Sequence, residues 1–177
     1  MEPDMLDLFA RASEWTNDKV DGAVMKLDAP TPCDEWDVRT LMNHMLETQR
    51  YFANSARGED ASLSPDPPAL LGDDPAAQFR EGRADTLRTF GEPGVIEKTG
   101  PALGIAFSDQ LLHGWDLAVA TGQDTTMPDG LAEAAYNMIH GRFTDEQRKG
   151  VFKPEIAVGP DANAQEKLLA YVGRQPQ

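Results

Sequence analysis

A single cysteine, Cys33, leaves this 177-residue chain without the means for an internal disulfide, which fits a reducing compartment. Long apolar runs are missing as well. No stretch approaches the roughly 18 residues that a membrane helix needs, so a bilayer-spanning role is excluded. The N-terminus, Met1-Glu2-Pro3-Asp4, lacks the basic region and uninterrupted apolar core of a secretory signal, so a cytoplasmic location is expected. Neither GxGxxG nor GxxxxGK[ST] occurs, which removes the glycine-rich phosphate cradles. Positive charge is scarce: 16 Lys and Arg stand against 30 Asp and Glu, a net charge of −14. A surface that negative repels phosphate backbones, and with its cations scattered it argues against nucleic acid as a partner.

What is present is a soluble, globular composition, 40% hydrophobic and 26% charged, long enough for one domain over residues 1–177. From about Met5 to Met25, Met5, Leu8, Phe9, Ala12, Trp15, Thr16 and Val20 recur at helical spacing behind Asp4 as N-cap. Pro30 and Pro32 bar a helix from the linker that follows. A second helix is expected behind Asp37, with Val38, Leu41, Met45, Thr48 and Phe52 on one side, ending near Arg57-Gly58. A Pro- and Asp-rich loop from Glu59 to Asp73 is of a length that is either mobile or functional, in the latter case as one wall of a pocket. Asp74-Pro75 opens a third helix through Phe90. Val95-Ile96 reads as a short extended stretch. Another long helix runs from Leu103 to Thr121, closed by Gly122. Further helices are expected from Asp129 or Gly130 to His140-Gly141, and from Asn163 to Gly173. Val151 to Val158 reads as an edge strand around Pro154. The fold class is therefore all-α, a four-helix bundle with a short extra helix and a small irregular C-terminal segment.

Chemistry concentrates on the Leu103–Thr121 helix. At 100° per residue, His113 lies about 40° from Asp109, and Asp116 about 20° to the other side. Three ionisable groups thus interrupt an apolar stripe and need partners, because burying them unpaired costs several kcal/mol. The i, i+4 spacing of Asp109 and His113 allows both to hold one cation. With only three histidines in the chain, His44, on the flank of the second helix's apolar stripe, is the natural third ligand. Two imidazoles and one carboxylate leave positions open on a divalent metal, as in catalytic sites. The bland alternative is a set of hydrogen-bonded, partly buried polar residues. Asp116 reads either as an acceptor that orients a histidine or as an acid paired with a cation elsewhere. His140 suits a helix C-terminus, Glu47 a solvated face rather than a ligand, and Cys33 a small buried hydrophobe rather than a reactive thiol. Trp15, Trp36 and Trp115 read as core or pocket-wall residues.

The segments Thr31-Pro32-Cys33-Asp34-Glu35-Trp36-Asp37-Val38-Arg39-Thr40-Leu41-Met42-Asn43-His44 and Asp109-Gln110-Leu111-Leu112-His113-Gly114-Trp115-Asp116-Leu117-Ala118-Val119-Ala120-Thr121-Gly122 resemble the DinB-like metal-binding proteins. Within them they look like the subgroup related to the N-terminal domain of mycothiol-dependent maleylpyruvate isomerase. The closing Leu168-Leu169-Ala170-Tyr171-Val172-Gly173-Arg174-Gln175-Pro176 is similar to the ends of small members. The resemblance implies a DinB/YfiT-like bundle whose metal, zinc by preference and nickel or another borderline ion otherwise, is held by His44, Asp109 and His113. Asp109 stands where the isomerase is expected to carry glutamate. The isomerase's further C-terminal domain has no counterpart of its size here, so maleylpyruvate isomerisation itself is not implied. The expected activity is a transferase-like reaction between a low-molecular-weight thiol of the mycothiol type and a small electrophile. Metal-dependent hydrolysis and non-catalytic binding of a metal or small ligand are the alternatives. An acidic bundle of this kind is also able to dimerise through an outer helix face, although no patch in the sequence marks one.

Overall fold

The computed structural model describes residues 4–149 and 152–175. Among them the chain is all-helical: α1 (Met5–Ala23), α2 (Val38–Ala56), α3 (Pro75–Gly91), α4 (Val95–Thr99), α5 (Ala102–Thr121), α6 (Leu131–Ile139), α7 (Asp145–Lys149) and α8 (Ala164–Tyr171). An isolated antiparallel bridge, Pro30 to Asp37, is the one β-type pairing among the described residues. No helix there is long and apolar enough to cross a membrane.

The starts of the long helices are set by local side-chain chemistry. Asp4 accepts from the backbone of Leu6 at 2.9 Å, Asp37 from Thr40 at 2.9 Å and Asp74 from Ala77 at 3.1 Å. Each satisfies an amide that has no partner within the helix. Pro75 follows Asp74 at a position where a missing N–H costs nothing. Asn163 and Glu166 form a capping box that opens α8.

The four long helices close a ring in which α1 packs on α3 and α5, and α2 packs on the same two. The helices consecutive in sequence, α1 and α2, are thereby diagonal, and α5 is flanked by both. One apolar cluster joins Leu8, Phe9 and Ala12 of α1 to Phe107, Leu111 and Trp115 of α5, and extends to α6 and α8. A second joins Val20 of α1, Leu41 and Met45 of α2, Phe79 of α3 and Leu117 of α5. This is the DinB-like helical bundle expected from the sequence.

Close approach of α1 and α5 depends on Gly114. A Cβ built there would collide with Thr16 Oγ1, and the Thr16 hydroxyl donates to the Gln110 carbonyl across the interface at 2.8 Å. Gly114→Ala is expected to overpack this contact and destabilise the fold by about 1–3 kcal/mol, measurable as a lower denaturation midpoint with an unchanged denaturant slope.

Two expected extended segments are not strands. Val95 and Ile96 open the single-turn helix α4, bounded by Gly94 at φ 83° and Gly100 at φ 61°. Two β-branched residues between chain-reversing glycines have no strand to pair with, and the Thr99 hydroxyl closes the turn on the Val95 carbonyl. The edge strand expected over Val151–Val158 is likewise not formed from 152 to 158; Val151 lies outside the described residues. Pro154 removes a donor, and Ile156 makes one backbone bond, to the Ala170 carbonyl of α8. Just before it stands α7, which the sequence pattern did not reveal.

Candidate metal centre

The α2–α5 contact carries the site. His44 projects from α2, while Asp109 and His113 project from successive turns of α5. One ligand atom of each lies within 4.8 Å of the other two. His113 Nε2 is 3.4 Å from Asp109 Oδ1, close to the about 3.3 Å that separates two donors bound about 2.0 Å from a tetrahedral ion. The shorter aspartate arm therefore still reaches its histidine. The His44 and His113 rings meet edge to face, their centroids 5.2 Å apart, and the Trp36 ring lies tilted against His44 at 4.9 Å.

Behind these residues lies a charged relay. His113 Nδ1 is 3.0 Å from Asp116 Oδ2, so this carboxylate holds a proton on Nδ1, and Nε2, which faces Asp109, is the nitrogen that would offer a lone pair to an ion once its own proton has left. Asp116 is fully buried and also accepts both arms of Arg174, at 2.8 and 2.7 Å. Asp116 thus faces a histidine and a guanidinium at once. Arg174 was not recognisable in the sequence: it lies 58 residues beyond its partner, past the end of α8, where no local pattern points to it.

The electrostatics follow from this layout. Burial, the largest influence on His44, pushes its pKa down, and the neighbouring His113 adds to that, so His44 is held neutral. Burial also opposes charge on His113, yet it is outweighed by Asp109 and Asp116, and the pKa rises well above the ordinary value. Asp109 is kept ionised against burial by His113 foremost. Asp116 is kept ionised against burial by Arg174 foremost.

Cys33 is not the buried hydrophobe the sequence suggested. It is half-buried, its Sγ lies 3.3 Å from Asp116 Oδ2, and with His113 and Asp116 it forms a second group of closely spaced donor atoms. Arg174 already occupies both oxygens of that carboxylate, which makes this group the poorer cradle for a cation. Glu47 is also not solvated. It is buried and accepts the Ser64 amide at 2.6 Å, tying the 59–73 loop to α2. Asn43 does the same for Leu70 and Leu71. His140 lies away from the site, exposed at the end of α6 and stacked on Tyr136. Trp115 is core, and Trp15 is half-buried beside Lys19.

The donor set fits a borderline divalent ion. Two imidazoles and one carboxylate converge, with Asp109 Oδ2 buried and lacking a hydrogen-bond partner, and open space lies beyond them. That space is a cavity of about 740 Å³ lined by His44, Asp109, His113, Cys33 and Trp36 among others. From the 59–73 loop, Leu63 contributes to its wall.

Residues 9–118 match the family described as the mycothiol maleylpyruvate isomerase N-terminal domain. The chain belongs to that family. The matched segment contains His44, Asp109, His113 and Asp116, whereas Arg174 lies beyond it. Two uncharacterized proteins of Mycobacterium tuberculosis, from strains CDC 1551 and H37Rv, are each 28% identical over 163 residues, covering 84% of this chain and 85% of theirs. No solved structure matches the chain. For a mycothiol maleylpyruvate isomerase N-terminal domain protein, residue 174 thus adds a charged partner from outside the matched region.

Proposed function

We propose that His44, Asp109 and His113 hold one divalent ion, zinc by preference, and that the protein uses it to transfer a low-molecular-weight thiol of the mycothiol type to a small electrophile. The observation that carries the reading is the open triad of two imidazoles and a carboxylate lining a large cavity, in a chain whose family bears mycothiol in its name. A divalent ion in such a site deprotonates a coordinating thiol and so supplies a nucleophile at neutral pH.

The chain's own residues set the conditions for this. Asp116 holds the proton on His113 Nδ1 and thereby directs Nε2 to the ion. Asp109 and Asp116 contribute two negative charges and Arg174 one positive. With both imidazoles neutral, a divalent ion leaves a single net positive charge, which favours an anionic thiolate over a neutral ligand. In the transfer a sulfur–carbon bond forms, the electrophile's leaving group departs with its electron pair, and the thiol proton passes to solvent.

The test is turnover. Thiol consumption with an electrophile such as an aryl halide is expected to require both zinc and thiol. Zinc-dependent ester cleavage that proceeds equally well without thiol would instead favour hydrolysis, and the absence of metal-dependent turnover with any cellular thiol would remove the catalytic reading.

Metal binding itself is expected to depend on pH. The raised pKa of His113 means that its protonated form stabilises the metal-free fold fully below about pH 6.5, and that this contribution fades as pH rises through the raised value. Zinc must displace that proton, so affinity is expected to climb about tenfold per pH unit across neutrality. Calorimetry in buffers of different ionisation enthalpy would then read about one proton released per zinc at pH 7.

A further inference from the structure

The cavity is far larger than a metal and a thiol group require, and its lining is of two kinds. His44, Asp109, His113 and Cys33 supply clustered donor atoms, while Ile105, Leu112, Ile139, Phe143, Phe152 and Ile156 make up much of its apolar wall. Leu112 and Ile139 are buried, and the other four are half-buried, so the wall belongs to the folded interior rather than to a passing surface patch. Its polar neighbours are largely committed elsewhere. The Thr48 hydroxyl donates to the His44 carbonyl and the Ser108 hydroxyl to the Gly104 carbonyl. Lys153 is paired with Asp34 at 3.0 Å, and Arg174 is engaged with Asp116. A sugar or a polyanion lying along this wall would give up hydration and find few partners in return. An alkyl or aryl body loses nothing there and gains from leaving water. At about 740 Å³, the space is of the size that encloses drug-sized ligands.

We infer that the electrophile accepted at this site is an apolar-bodied small molecule, its reactive polar head at His44, Asp109 and His113 and its hydrocarbon body against Ile105, Leu112, Ile139, Phe143 and Phe152. This rests on the metal reading above for the head, and on the cavity wall alone for the body.

The experiment separates the two. Calorimetric titration of the zinc-loaded full chain with acetohydroxamate, butanohydroxamate, hexanohydroxamate and octanohydroxamate varies the tail behind one metal-chelating head. Affinity is expected to rise about fourfold for each methylene added. A parallel titration of zinc-free protein with 1-butanol, 1-hexanol and 1-octanol varies the tail without using the metal, and the same trend is expected. Ile105→Asn, at a half-buried wall position one turn before Asp109, is expected to weaken octanohydroxamate about tenfold and to leave acetohydroxamate unchanged.

If acetohydroxamate and the longer hydroxamates show no zinc-dependent binding while the alkanols gain with length, the metal reading fails and the apolar site stands. If acetohydroxamate binds but neither series gains with length, the metal reading stands and the inference is overturned. It is also overturned if the chain-length trend is present but insensitive to Ile105→Asn, because the tail then lies elsewhere.

Discussion

His113→Ala is expected to lower zinc affinity by more than about 100-fold, beyond the 10- to 100-fold that losing an outer hydrogen-bond partner costs a metal site. His113 is the hinge of the arrangement. Its Nε2 stands 3.4 Å from Asp109 Oδ1 while its Nδ1 is fixed by Asp116, so its removal deletes one donor and leaves the other two without the residue that draws them together. Competition against a chromophoric chelator measures the loss. Far-ultraviolet circular dichroism guards against mistaking unfolding for weak binding, a control the variant needs because the truncated side chain is only 12% exposed. Retention of wild-type affinity would mean that the ion sits elsewhere. His140→Ala serves as the control, because that imidazole is exposed and stacked on Tyr136 away from the cavity, and it is expected to leave zinc binding unchanged.

Asp116→Asn is expected to strike stability and affinity together. The carboxylate has no exposed surface, and its bidentate partner Arg174 is only 15% exposed. Neutralising one member leaves a buried guanidinium without its counter-charge, a loss of about 3–5 kcal/mol, read as a lower denaturation midpoint. Zinc affinity is expected to fall 10- to 100-fold as well, since an amide no longer holds the His113 ring as firmly. The pH dependence has a definite sign. Arg174 keeps the Asp116 carboxyl well below the usual carboxylate range despite burial. Its stabilisation is therefore complete above about pH 4 and is lost as pH falls toward the depressed value. The gap in stability between wild type and Asp116→Asn is expected to be constant near neutrality and to narrow below about pH 4. Arg174→Met separates the two roles. It should share the stability loss, yet keep zinc affinity within about tenfold, because Asp116 still reaches His113.

The parts of this structure that were legible in the sequence are those governed by contacts within a few residues. Asp4, Asp37, Asp74 and Asn163 mark helix starts because an N-cap bonds to amides two or three residues on. Asp109 and His113 could be paired because helical geometry alone brings i and i+4 together. His44 is marked by the scarcity of histidine and by its place on the flank of the α2 apolar stripe, and α2 and α5 do pack together. What escaped notice depends on distant chain. Arg174 meets Asp116 across 58 positions and Cys33 meets it across 83. Glu47 looked solvated because its partner is the backbone of Ser64, in a loop with no periodic pattern. Val95 and Ile96 followed β-branched propensity into a wrong assignment because propensity carries no information about whether a partner strand exists.

Zinc K-edge X-ray absorption of the loaded, thiol-free protein tests the shared ion most directly. One shell of nitrogen and oxygen neighbours at about 2.0–2.1 Å, with imidazole outer-shell scattering from two rings, is expected for His44, Asp109 and His113. A sulfur neighbour at about 2.3 Å would assign the ion to the Cys33 group instead, and a protein that retains no zinc at all would contradict the site outright.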